Sequence, residues 1–64
     1  MIYITRDFSK ASAGVEGKFQ IISVTQNDMD ITDDQFSGKF YTSGSQVIRD
    51  LGFDPDIKDW EYDD

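Results

Sequence analysis

The stretch Val15-Glu16-Gly17-Lys18-Phe19-Gln20-Ile21-Ile22-Ser23-Val24-Thr25 decides the fold. Its centre carries Phe19, Ile21, Ile22 and Val24, the β-branched and aromatic residues that suit a pleated, half-buried surface. A strand is predicted here. The adjacent pair Ile21-Ile22 interrupts simple alternation, so either both faces are partly covered or a bulge shifts the phase. Gln26-Asn27-Asp28 follows with turn chemistry.

Upstream, Ile2-Tyr3-Ile4-Thr5 has strand composition, while residues 7–14 (DFSKASAG) are open between a loop and a short helical turn ending at Gly14. Downstream, Thr32-Asp33-Asp34-Gln35 predicts a helix start, with the Thr32 hydroxyl as cap and Gln35 completing a capping box. Gly38 follows too soon for more than one turn. Lys39-Phe40-Tyr41-Thr42 reads as a further strand. Val47, Ile48 and Leu51 fall on one helical face, with Ser43 or Ser45 as cap and Gly52 as stop. Phe53 is expected to pack back on that helix. Asp54-Pro55 marks a turn, and residues 57–62 a last strand or an extended tail, with Ile57, Trp60 and Tyr62 favouring the strand. The predicted fold is α+β: a small antiparallel sheet of three to four strands with one principal short helix at about residues 45–51. Residues 1–64 form a single domain.

Sixty-four residues lie near the lower limit for folding without a staple, and the chain has no Cys or His. Thiolate metal sites and a histidine general base are thereby excluded. No apolar run approaches a membrane span and no secretory leader is evident, which predicts a soluble, cytoplasmic protein. The net charge of −7 is unevenly spread. Ten of the 13 acids lie in segments 28–34 and 54–64, with Lys58 alone among them. Such a chain repels nucleic acid and anionic membranes and attracts basic partners.

The sharpest pattern is Asp59-Trp60-Glu61-Tyr62-Asp63. In a strand it sets three carboxylates on one face and two rings on the other, the carboxylates roughly 6.5–7 Å apart. That spacing is close to that of charges along a nucleic-acid backbone. Asp28-Met29-Asp30-Ile31 repeats the pattern in shorter form.

Other chemistries fail on spacing. A calcium loop started at Asp28 puts Asp33 where a Gly is needed and Lys39 where a bidentate Glu is needed. Started at Asp54, it fails at Lys58. Paired carboxylates of the glycosidase kind need a cleft that raises one pKa, and the acids here sit among other acids in polar segments. Gly14-Val15-Glu16-Gly17-Lys18 lacks the gap and hydroxyl of a P-loop. No enzymatic activity, metal or cofactor is expected.

Two readings of the charge remain. It can serve solubility and the blocking of edge pairing on an acidic adaptor domain. Alternatively, the acids are the working surface, since concentrating like charge costs stability in a small fold. In size, composition and carboxylate pattern the chain resembles the phage-encoded inhibitors of bacterial defence, which include anti-CRISPR, anti-restriction and uracil-DNA glycosylase inhibitors. The resemblance implies a DNA mimic acting in the cytoplasm of an infected bacterium as a monomer or weak dimer. Asp28, Asp30, Asp33 and Asp34 would form one rank of pseudo-phosphates. Asp54, Asp56, Asp59, Glu61, Asp63 and Asp64 would form the other. The implied partner is a basic DNA-binding protein, such as a CRISPR or restriction complex reading DNA through Lys and Arg.

Overall fold

The computed structural model describes residues 1–9 and 18–64. Strand β1 (Ile2–Asp7) lies inside the sheet because Ile2 and Ile4 project to one side, where both are fully buried. Strand β2 (Gln20–Gln26) pairs with it antiparallel, and β3 (Met29–Asp30) pairs antiparallel with β2. The β2–β3 link is a two-residue turn with Asn27 and Asp28 both at positive φ, 52° and 65°. That is the backbone that matches the twist of a hairpin, and Asn and Asp tolerate it best after Gly.

The Ile21-Ile22 pair resolves as a bulge. Thr5 pairs with Ser23 and Arg6 with Ile21, which leaves Ile22 without a partner. Ile21 thereby packs on the core while Ile22 remains 57% exposed. The segment 10–17, which holds the rest of the ambiguous 7–14 stretch and the start of the predicted 15–25 strand, lies outside the described residues.

Helix α1 (Gly44–Asp50) buries Val47 and Ile48 against Ile2, Ile4 and Val24. Its end is a Schellman motif: Phe53 N–H donates to the Ile48 carbonyl (3.1 Å) and Gly52 N–H to that of Arg49 (2.9 Å). Gly52 has φ +93°, so the stop needs a residue without a side chain. Phe53 packs on the core as expected. Ser43 occupies the cap position, but its side chain makes no capping bond. Its hydroxyl pairs with that of Ser45 at 2.7 Å, and the Gln46 Oε1 accepts the Thr42 N–H at 3.0 Å instead.

Strand β4 (Trp60–Tyr62) completes the order β3-β2-β1-β4 and runs parallel to β1, so the four-stranded sheet is mixed rather than wholly antiparallel. Two further details depart from expectation. Residues 39–42 form no strand: Phe19 and Tyr41 exchange two backbone bonds (2.7 and 2.9 Å) in an isolated bridge. The neighbouring donors are diverted, Lys39 N–H to Phe36 and Thr42 N–H to Gln46. Nor does Thr32 cap the 3-10 turn Asp34–Phe36; Asp33 does, accepting the Gln35 N–H. Thr32 is held elsewhere, its Oγ1 accepting the Val24 N–H at 2.9 Å, which extends the short β3 edge by a side-chain bond. Among the described residues no helix is long and apolar enough to cross a membrane.

Candidate functional site

With helix α1 covering one face of the sheet, no element among the described residues covers the other. The register fixes which side chains share that face. Ile2 aligns with Trp60 and Ile4 with Tyr62 on the covered side, so Tyr3 aligns with Glu61 on the open side. Tyr3 also aligns with Thr25, and Thr25 with Asp30. One outward row therefore runs Asp30, Thr25, Tyr3, Glu61 across all four strands. Asp30 and Glu61 close its two ends, separated by three strand spacings, or roughly 14 Å.

Along β4 the alternation holds. Asp59, Glu61 and Asp63 are exposed, while Trp60 and Tyr62 are partly buried against the core. The strand is anchored to β1 at both of its ends: Ile2 N–H donates to the Asp59 carbonyl (3.0 Å) and Asp63 N–H to that of Ile4 (2.9 Å). The two rings meet edge-on at 5.3 Å, and the Tyr62 hydroxyl accepts the Gly44 N–H at 2.8 Å. The carboxylates thus project from an ordered strand.

The other predicted acids divide by place. Asp28 sits in the β2–β3 turn, exposed. Asp30 accepts the N–H (2.8 Å) and the hydroxyl of Thr32; the hydroxyl bond above all, then the N–H, holds its carboxyl below the usual range. Asp33 and Asp34 lie at the 3-10 turn. Asp54 accepts the Asp56 N–H at 2.9 Å in the turn before β4, and both remain exposed. Asp30 and Glu61 therefore stand on opposite edge strands of the sheet and share its outward face.

Asp64 differs. Its carboxylate meets the Arg6 guanidinium through Nε and Nη2 (3.0 and 2.7 Å) and also accepts the Arg6 N–H at 2.8 Å. Arg6 lies 3.6 Å from the centre of the Tyr62 ring, a cation–π stack. The guanidinium hydrogen bond is the main reason that Asp64 titrates at about 2. Asp64 thus clamps the segment after β4 to β1.

Sequence reading missed Tyr3, Thr25 and Arg6. Tyr3 could have been found, since it stands out of phase with Ile2 and Ile4 and must face away from them. Arg6 could not, because its partner lies 58 positions away. Among the described residues no three acids gather closely enough to hold a metal ion. In comparison with known proteins, the chain matches no family model, no curated protein and no solved structure.

Proposed function

We propose that this protein is an inhibitor of the DNA-mimic type, its open acidic sheet face occupying the Lys/Arg groove by which a CRISPR or restriction complex holds DNA. The observation that carries the reading is the outward row with a carboxylate at each end, continued along β4 by Asp59 and Asp63. The two ends stand roughly 14 Å apart, on the order of a B-DNA groove width of about 12 Å. Asp59, Glu61 and Asp63 have no cationic partner among the described residues, so their charge is available to one outside. Each carboxylate meets an Arg or Lys, and occupancy excludes DNA by competition.

The test is displacement of labelled duplex DNA from such a complex. The expected result is competition that weakens steeply as salt rises, and that is weakened again by D59N/E61Q with the fold retained. Simultaneous binding of DNA and protein would overturn it. So would undiminished inhibition by the double variant.

A further inference from the structure

The turn leading into β4 carries an apolar feature that charge mimicry does not use. Ile57 is 80% exposed, the most exposed large hydrophobic among the described residues. Together with Phe53, Asp54 and Lys58 it lines an open hollow of about 280 Å³. Phe53 forms the inner wall, packed on the core from its other side. The Lys58 ammonium sits 4.7 Å from the centre of the Phe53 ring, leaving its stem as a side wall. Two bonds close the turn: Ile57 and Lys58 N–H groups both donate to the Asp54 carbonyl (3.1 and 2.9 Å). Asp54, Asp56 and Asp59, all exposed, surround this spot in the chain.

We infer that the Phe53–Ile57 hollow is a second contact point of the same acidic surface. It receives one aliphatic side chain set among Lys and Arg residues of a basic protein partner. This rests on the reading of the acidic face as a binding surface. Charge complementarity selects the occupant, because the three acids at 54, 56 and 59 outweigh Lys58, the cation in the lining, and so disfavour an acidic or phosphate-bearing segment and favour a basic one. Carboxylates steer and orient, while an apolar anchor confers affinity that salt does not screen. A nucleic-acid mimic built of charge alone would lose its hold at moderate ionic strength. Ile57 offers a contact free of that weakness, two positions before the outward acid Asp59.

The probe is a synthetic peptide with one leucine between pairs of arginines, compared with its serine counterpart, titrated into the full chain with backbone amide shifts as readout. The expected result is that the leucine peptide binds about tenfold more tightly, with shifts at Phe53, Ile57 and Lys58, and that I57S abolishes the preference. Ile57 is exposed, so I57S keeps the fold. Equal affinity of the two peptides, no binding of either, or a leucine preference that survives I57S would overturn the inference. The charge reading is scored separately in the same titration: D59N/E61Q should weaken both peptides and flatten their salt dependence. An unchanged salt dependence would sink that reading while leaving the leucine preference to be judged by itself.

Discussion

Arg6 shows how one side chain can fasten a strand that, among the described residues, pairs only with β1. Its aliphatic stem leaves β1, its guanidinium stacks on Tyr62, and its fork and backbone N–H together grip Asp64. The two side chains are each only about a quarter exposed, 25% and 24%, so solvent screens the contact incompletely. The consequence for pH has a definite sign. Asp64 titrates at about 2 when folded, against an ordinary value of 3.8. As pH falls, the unfolded chain takes up this proton first, so the clamp's stabilisation is whole above 3.8 and is lost as pH drops through about 2. Asp30, also lowered, adds in the same direction. The gap in urea midpoint between the natural chain and D64N isolates the clamp, because relief of self-repulsion on acidification acts on both. D64N should have the lower midpoint at neutral pH, and the gap should shrink as pH falls from 3.8 through about 2. A gap that stays constant through this window would assign the acid sensitivity elsewhere.

At the scale of elements, α1 and β4 meet at Gly44. A Cβ placed there would lie 2.8 Å from the Trp60 Cη2 and closer still to its Cζ3, with no room for both. G44A should cost about 1–3 kcal/mol by overpacking, read as a lower urea midpoint with altered Trp60 fluorescence. A neutral result would mean that the indole has freedom to swing away. This contact also marks the boundary of what local sequence discloses. The strand Ile2-Tyr3-Ile4-Thr5, the bulge option at Ile21-Ile22, the single turn before Phe36 and the stop at Gly52 all follow from neighbours a few positions apart. Alternation likewise put the acids of 59–63 on one side and the rings on the other. The parallel pairing of β4 does not follow, because it depends on a register between Ile2 and Trp60 that no turn dictates. The same limit explains 39–42, whose composition suits a strand but whose amide donors are claimed by Phe36 and Gln46. It explains Thr32 too, drawn from its helix cap by Val24 across the sheet.

For the whole molecule, the proposed function requires the charge to act on folding and binding with opposite signs. A net charge of −7 on 64 residues drives self-repulsion, and the acids concentrated in segments 28–34 and 54–64 carry most of it. Added salt screens that repulsion and should raise the urea midpoint, while the same salt weakens attraction to a basic partner. Neutralising outward acids should mimic salt. Asp59 and Glu61 contribute no side-chain hydrogen bond or ion pair among the described residues, so D59N/E61Q removes charge without removing a contact. The double variant is expected to be as stable as the natural chain or slightly more so, and to bind a basic partner more weakly. Urea denaturation beside the peptide titration separates the two effects on one sample. A variant that loses stability would show that these carboxylates serve the fold. One that keeps both stability and affinity would leave the charge to solubility alone. A gain in stability with a loss in affinity is the signature of a surface maintained for its partner at the expense of its own fold.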